Sequence, residues 1–459
     1  MRSRFVLALS LLVPVLVAEE LPPGQLINKV AAIADANQSY ALYLPSKYNP
    51  SRRWPILYCL EPGARGPLAV EHFREGAEKY GYIIAASNNS RNGPTQPTVD
   101  ALNAMYADTH GRFAVDDNRQ YLAGMSGGSR AALLIVTNAK GFAGVIAQAA
   151  GFSTPETPKG FAVPFYGTAG IDDFNYRELR KVDRDLDLTG TPHRIRVFAG
   201  AHGWAPAEVC TESLAWFEVQ AMRTGVRPVD RALIETLYSF DLEKARGAES
   251  SGDMLEAWSR YKWLAADYRD WTDVAALGKK AEEIKGSKEY RRLLKSEEKQ
   301  DAGFVWLRRQ LEADMRSLES PDTAREAASA LRVLLGDQRK VSAGAADTGD
   351  RRTARRFLGD SMVSAREGAY ELRNKKEYSA AVVRFELATT INPDRADLLY
   401  ELAACQALAK ERTGAIASLK KAVEKGFSDA ARLEGDASFA SLRNTAGYKA
   451  IAAGIAAKK

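Results

Sequence analysis

Short apolar runs alternate with longer amphipathic runs between about residue 33 and residue 224. Residues 55–60 and 81–87 are nearly continuous apolar runs, which is typical of strands buried on both faces, whereas residues 40–44 alternate as an edge strand does. Further strands are predicted at 119–123, 144–149, 162–167 and 193–199, and helices at 99–113, 129–138 and 207–224. The order predicts an α/β domain over residues 30–225, with a mostly parallel sheet and helices on both faces.

The strand-like runs stop near residue 228, and the rest of the chain has the pattern of helices. Residues 229–335 are predicted to be an all-helical region, in which degenerate repeats are one interpretation. Residues 340–356 are rich in Gly, Ala, Asp and Arg, so they are predicted to be a linker. Residues 362–459 form the last predicted unit.

This last unit contains an internal repeat. Three positions recur 34 residues later: Ala381, Phe385 and Ala388 match Ala415, Leu419 and Ala422. Small residues at such positions let antiparallel helices approach closely, and 34 residues is the length of a tetratricopeptide repeat, which this pattern resembles. About three repeats are needed for a continuous core, so the tail is expected to act as a capping helix and residues 229–335 to pack against the repeats. An ordinary helical hairpin is the alternative.

The N-terminus has the pattern of a targeting segment. Arg2 and Arg4 precede an apolar run over residues 5–18, and 14 residues are too few for the roughly 20 that cross a bilayer. Residues 1–18 are therefore predicted to be a secretory signal peptide, which implies export to the periplasm or the extracellular space. No later run approaches membrane-spanning length, so no membrane span is expected after removal of the signal.

Charge and cysteine content narrow the function classes. The net charge of +6 is spread over 459 residues, without a basic patch interleaved with aromatic residues, so nucleic acid is not an expected partner. Cys59, Cys210 and Cys405 allow at most one internal disulfide. Cys59 and Cys210 are the only pair within one predicted domain, and buried free thiols are the alternative.

The chemistry centres on the sequence Gly124-Met125-Ser126-Gly127-Gly128, which follows a buried strand and precedes a helix. A serine in this setting has the form of a nucleophile elbow, where glycines two residues before and after it let the strand and helix pass closely. We therefore identify Ser126 as the candidate nucleophile. The motif alone is short enough to arise by chance, so its context carries the prediction.

A nucleophilic serine needs a base and an acid, which follow it in the order acid, histidine in this fold class. Of four histidines, only His202 lies just beyond a predicted strand end, whereas His72, His110 and His193 fall in helices or a strand, where packing or surface roles are expected. The acid is expected after the intervening strand, where Asp172 and Asp173 are adjacent. We choose Asp173, with Asp172 as the fallback.

Stabilisation of an oxyanion requires two backbone N–H donors. Gly127, directly after the nucleophile, is the first candidate. The loop Glu61-Pro62-Gly63-Ala64-Arg65-Gly66 follows a predicted strand, and its proline has no N–H, so Ala64 or Gly63 is the second candidate. We choose Ala64. An ordinary glycine turn is the alternative for this loop.

Together these segments resemble the α/β-hydrolase fold, and within it the secreted polyhydroxybutyrate depolymerase and feruloyl esterase group. The matching pieces are residues 62–66 at the oxyanion loop, the elbow at 124–128, the acid turn at 170–173, and Gly200-Ala201-His202-Gly203-Trp204. One departure is Pro62, where the family motif usually has histidine. The resemblance implies a Ser-His-Asp serine esterase that acts on acyl-carbohydrate or short hydroxyalkanoate esters.

The segment between the strands at 144–149 and 162–167 is too short for a helical lid, so an open cleft is expected that accepts ester substrates attached to a polymer. Phe152, Trp204 and the loop at 88–93 are predicted to line its mouth.

No cofactor and no metal are predicted. The repeats are expected to bind a protein partner, and a chain ending near Arg227 is expected to hydrolyse simple esters alone. The alternatives are an interaction protein with an inactive hydrolase domain and a serine peptidase on the same fold.

Overall fold

The computed structural model describes residues 21–154, 156–320 and 322–456, so the predicted signal peptide at 1–18 lies outside the described residues. Within them, eight strands form one sheet: β1 (Leu26–Ala31), β2 (Ser39–Tyr43), β3 (Trp54–Leu60), β4 (Ile83–Ser87), β5 (Val115–Met125), β6 (Gly144–Gln148), β7 (Phe165–Gly170) and β8 (His193–Phe198). Their spatial order is β1-β2-β4-β3-β5-β6-β7-β8. Strand β2 pairs antiparallel with β1 and β4, and the remaining pairs are parallel.

Helices cover both faces of this sheet, which explains why all seven residues of β3 are apolar and buried. One face packs against α1 (Gly66–Tyr80) and α5 (Ala207–Arg223). The other packs against α2 (Thr95–Arg112), α3 (Gly127–Asn138) and α4 (Tyr176–Thr189). The predicted mostly parallel sheet with helices on both faces is confirmed. We call residues 21–223 the α/β domain.

The chain after the α/β domain is helical, as predicted, and we call residues 231–456 the helical region. Its helices are α6 (Arg231–Ser250), α7 (Met254–Asp267), α8 (Ala275–Gly286), α9 (Lys288–Ser317), α10 (Ala324–Ser342), α11 (Gly349–Asn374), α12 (Tyr378–Ile391), α13 (Ala396–Leu408), α14 (Arg412–Glu424), α15 (Ala430–Gly435) and α16 (Ala446–Ala456).

The repeated positions lie at equivalent places on α12 and α14. All six are fully buried: Ala381, Phe385 and Ala388 on α12, and Ala415, Leu419 and Ala422 on α14. The α12 residues Ala381 and Phe385 pack with Ala369 of α11 and Leu402 of α13. Close helix packing at the small residues is therefore present, and the assignment to tetratricopeptide repeats stays a prediction.

The predicted linker at 340–356 is wrong for most of its length, because α10 continues to Ser342 and α11 begins at Gly349. Only residues 343–348 lie between the helices. Thr348 caps α11 by accepting a hydrogen bond from the Arg351 amide, and the Arg351 side chain donates to Ser342 O at 2.9 Å. Alanine and arginine favour helices, so the composition of this segment fits an amphipathic helix as well as a linker.

A buried ion-pair cluster joins the two parts of the chain. Arg194 of β8 donates to Asp267 of α7 at 2.8 Å and to Asp241 of α6 at 2.9 Å, and all three residues are buried. Trp216 of α5 also donates to Asp267, at 3.1 Å. A chain cut near Arg227 would leave Arg194 without either carboxylate. Since an unpaired buried charge is strongly destabilising, these contacts argue against the expected independence of the α/β domain.

The three cysteines are buried free thiols. Burial raises the pKa of Cys210 to about 12, so this thiol is protonated and a poor nucleophile at neutral pH. None of the described helices is long and apolar enough to cross a membrane.

Candidate active site

Ser126 lies in a strained turn between β5 and α3. Its φ of 54° and ψ of −119° are costly for a residue with a side chain. The flanking glycines are required by close packing: a Cβ on Gly124 would lie 2.2 Å from Gly128 O, and a Cβ on Gly128 would lie 2.0 Å from Leu60 O. This packing lets the strand and helix meet at the sharp angle that presents Ser126 at the end of the sheet.

A hydrogen-bonded series connects the three predicted side chains. Ser126 Oγ lies 2.9 Å from His202 Nε2, and His202 Nδ1 lies 2.9 Å from Asp173 Oδ1. Asp173 is fully buried, whereas His202 is partly exposed. Because a carboxylate only accepts hydrogen bonds, Nδ1 carries the proton in the neutral imidazole, which leaves Nε2 free to accept from the serine hydroxyl.

The acid lies in the turn between β7 and α4, and we call residues 170–176 the acid turn. Asp173 Oδ1 also accepts from the Asn175 amide at 2.8 Å, and the Tyr176 amide donates to Asp173 O at 3.0 Å. Asp172 points elsewhere, since its Oδ2 accepts from Arg355 of α11 at 2.7 Å. The structure thus brings Asp173, and not Asp172, to His202.

The other histidines have packing or ion-pair environments: His72 beside Trp204, His110 stacked on Tyr106, and His193 between Asp183 and Asp187. Burial lowers the pKa of His72, which favours its neutral form. Of the four histidines, His202 is the one that the described structure places beside both Ser126 and Asp173.

The two predicted oxyanion donors differ in their surroundings. Gly127 is the first residue of α3, where backbone amides lack a partner within the helix. The Ala64 amide instead donates to Glu61 O at 3.2 Å, and the Gly63 amide donates to the Glu61 carboxylate at 2.6 Å. Sequence reasoning missed Glu61, whose buried carboxylate also accepts from the Arg65 amide at 3.0 Å and organises this loop.

A small cleft of about 190 Å³ lies beside Gly127. It is lined by residues that include Pro62, Arg91, Asn92, Arg130, Leu134 and Ser153. The predicted loop at 88–93 therefore borders the site, and Asn92 packs so closely on Gly127 that a Cβ there would lie 2.0 Å from Asn92 Oδ1. A second cleft, of about 610 Å³, lies beside the acid turn and is lined by Phe152 and Phe174 among others, so Phe152 borders the site although it is only 6% exposed. The expectation for Trp204 is wrong, because it is 8% exposed and packs in the core of the sheet.

The helical region reaches this site. Asn92 Nδ2 lies 3.4 Å from Glu367 Oε1 of α11. At the other end of the site, Phe174 stacks on the His202 ring with the ring centroids 4.1 Å apart and packs against apolar residues of the helical region. Helix α11 therefore contacts residues at both ends of the site, which the expected open cleft did not include.

Gln148, at the end of β6, connects the nucleophile to the base. Its carbonyl accepts from the Ser126 amide at 2.8 Å, and its side-chain Oε1 accepts from the Ala205 amide at 2.7 Å, three residues after His202. The available signal was a polar residue at the end of an otherwise apolar strand, and sequence reasoning passed over it.

No protein-family model matches the chain, and no curated protein matches it. Solved structures that resemble its N-terminal part include a ferulic acid esterase (17% identity, 41% of this chain and 95% of that chain, TM-score 0.35). Others are fluorophosphonate-binding serine hydrolase F of Staphylococcus aureus (15%, 39% and 92%, 0.32) and esterase B of Lactobacillus rhamnosis (16%, 45% and 89%, 0.36).

Proposed function

We propose that this chain is a serine hydrolase that cleaves carboxylic esters of short acyl groups, with Ser126 as nucleophile, His202 as general base and Asp173 as the orienting acid. The observation that supports it is the series of two 2.9 Å hydrogen bonds from Ser126 through His202 to Asp173. A serine hydroxyl is a weak nucleophile unless an adjacent base takes its proton, and this series supplies that base.

In the acylation step, Ser126 Oγ attacks the carbonyl carbon of the ester while His202 Nε2 takes the hydroxyl proton. The buried Asp173 carboxylate stabilises the imidazolium that forms. The carbonyl oxygen becomes an oxyanion, to which the Gly127 amide donates at the N-terminus of α3. The Ala64 amide is the second donor, and it exchanges its long bond to Glu61 O for a bond to the oxyanion.

Collapse of this intermediate re-forms the C=O bond and breaks the bond to the alcohol, which takes the proton from His202 Nε2. The acyl group is then bonded to Ser126. Water attacks the acyl carbon as His202 takes one of its protons, and a second collapse releases the carboxylic acid and returns the proton to Ser126 Oγ.

We assign the acyl group to the cleft beside Gly127, which Ser126 and His202 do not themselves line, and the size of this cleft supports short acyl groups. Its roughly 190 Å³ beside Gly127 is below the ~300–1,000 Å³ of sites that enclose drug-sized ligands. A long acyl chain gains about 0.8 kcal/mol per methylene only where the chain is buried. Acetyl, butyryl and similar esters are therefore favoured over long-chain triglycerides.

The test is a series of nitrophenyl esters from acetate to dodecanoate, hydrolysed by the full chain and by Ser126→Ala. We expect turnover to be highest for the short esters and to fall by at least about 10⁴-fold in Ser126→Ala. Ser129→Ala is the matched control, because the Ser129 hydroxyl donates to Ala150 O at 2.7 Å within the core. Near-normal turnover by Ser126→Ala would refute the nucleophile, and a rate rising steadily with chain length would refute the acyl preference.

A further inference from the structure

The acid turn is held from two sides. On the inside, its backbone bonds to the end of β8 and the loop that follows: the Ile171 amide donates to Phe198 O at 2.8 Å, and the Asp172 amide donates to Gly200 O at 2.9 Å. On the outside, two consecutive arginines of α11 contact the same two residues. Arg355 Nη1 lies 2.7 Å from Asp172 Oδ2, and Arg356 Nε donates to Ile171 O at 2.8 Å.

Arg356 is a buried arginine, with only 1% of its surface exposed. Its guanidinium carbon lies 3.9 Å from the centre of the Tyr176 ring, at the end of the acid turn. In the described part of the chain, its Nη1 and Nη2 atoms have no hydrogen-bond partner. Burying a charge with so few partners costs free energy, and an apolar side chain would fill the same space at a lower free-energy cost. What the arginine adds is a donor fixed on the Ile171 carbonyl.

Phe174 connects α11 to the base. One face of its ring stacks on His202, with a centroid separation of 4.1 Å and an interplanar angle of 25°. The ring also abuts α11 at Gly359, where an added Cβ would lie 3.2 Å from Phe174 Cδ1. The Phe174 ring therefore lies between the His202 imidazole and the backbone of α11. A shift of α11 would move this ring, which supports the base.

We propose that α11 positions the acid and the base of the site, with Arg356 and Gly359 as positioning residues that keep Asp173 aligned with His202. This inference rests on the proposed function, because it concerns the same three side chains. It assigns the helical region a part in catalysis, besides any partner that its repeats bind. The alignment matters because a misplacement of about 1 Å at a reacting group costs on the order of 10²-fold in rate.

Two variants and two matched controls on the same helix test the proposal. Arg356→Met removes the donor but keeps an apolar side chain of similar reach, and Gly359→Ala pushes on Phe174 while favouring the helix. Their controls are Arg373→Met, which breaks the pair with Glu401, and Gly368→Ala, whose Cβ would meet only Arg384 Nε, at 4.0 Å. Gly359→Ala keeps the test decisive even if Arg356→Met fails to fold.

On nitrophenyl butyrate we expect kcat to fall about 10- to 100-fold in Arg356→Met and roughly 3- to 10-fold in Gly359→Ala, with KM changed less than about twofold. Both controls should keep kcat within about twofold. A kcat in Gly359→Ala and in folded Arg356→Met equal to that of the controls would overturn the proposal.

A second readout does not depend on turnover. The His202 Nδ1–H proton, assigned by its absence in His202→Gln, should give a downfield NMR signal in the wild type that shifts or broadens in Arg356→Met and Gly359→Ala but not in the controls. An unchanged signal in both positioning variants would overturn the inference. A wild type that has this signal but hydrolyses no ester would contradict the proposed function and still test the inference.

Discussion

The proposed nucleophile and the proposed acid–base pair are held in place by different kinds of contact. Ser126 is fixed by its own neighbours in the chain: β5, α3 and the glycines at 124 and 128, where any added Cβ would strike backbone. Asp173 and His202 lie in loops, and part of the support of the acid turn comes from Arg355 and Arg356, which contact Asp172 and Ile171 from more than 180 residues further along the chain. The difference teaches that one active site can combine a locally encoded element with a distantly supported one.

The Ser126 elbow and the Asp173–His202 pair should respond differently when the helical region is displaced. A defect in the docking of the helical region should leave the Ser126 elbow intact, because its contacts lie within the sheet and α3. The same defect should loosen the acid turn and the Phe174 stack on His202. The predictions below separate the two halves, beginning with the largest expected effect.

The first prediction distinguishes the two adjacent carboxylates. Asp173→Asn should lower kcat by about 10⁴-fold, because an amide no longer holds the imidazole in the tautomer whose Nε2 accepts from Ser126. Asp172→Asn should cost less than about 10-fold, since Asp172 contacts Arg355 and not His202. Steady-state kinetics on a nitrophenyl ester checks both variants, and a larger loss in Asp172→Asn would move the acid by one residue.

The second prediction concerns the cluster that docks the helical region. Asp267→Ala leaves the buried Arg194 with one carboxylate instead of two, and breaking a buried pair costs about 3–5 kcal/mol. The matched control is Asp270→Ala, which removes the exposed partner of Arg223 and should cost no more than about 1 kcal/mol. Urea unfolding followed by tryptophan fluorescence measures the difference, and equal midpoints for the two variants would contradict a stabilising role of the cluster.

The third and smallest effect is a pH dependence of stability. It arises from His193 of β8, which pairs with Asp183 and Asp187 of α4, the helix that follows the acid turn. Burial alone would lower the pKa of His193, but hydrogen bonds to Asp183 and Asp187 outweigh burial and raise that pKa to about 9. The ordinary value is about 6.5. Protonated His193 therefore contributes its full stabilisation below pH 6.5, and this contribution is lost as the pH rises through about 9.

Thermal unfolding between pH 6 and pH 10 should accordingly show a falling Tm across this window. In His193→Gln the fall should be smaller, because the titrating group is gone. The same slope in the variant and the wild type would mean that other groups cause the pH dependence.

What the sequence predicted well was local. The strands and the elbow follow from short apolar runs and glycine spacing, and the order of Ser126, Asp173 and His202 along the chain sufficed to select three side chains that meet in space. Because neighbouring side chains point in different directions, the sequence predicted that only one of Asp172 and Asp173 reaches the imidazole, and we chose Asp173.

The features that the sequence did not predict depend on contacts between residues that are far apart in the chain. Nothing near Trp204 signals that Phe73 and other residues of the core bury it. The composition at 340–356 indicated a linker, but α11 begins there and runs against the acid turn. That placement requires the packing of both parts of the chain.

The central claim is that Ser126 is activated by His202, and labelling with a fluorophosphonate probe tests it most directly. Such a probe bonds covalently to an activated serine whatever the natural substrate. We expect one adduct per folded chain, mapped by mass spectrometry to Ser126, and loss of labelling in Ser126→Ala and His202→Gln. Folded wild-type protein that takes up no probe, or that carries the adduct on another residue, would contradict the claim.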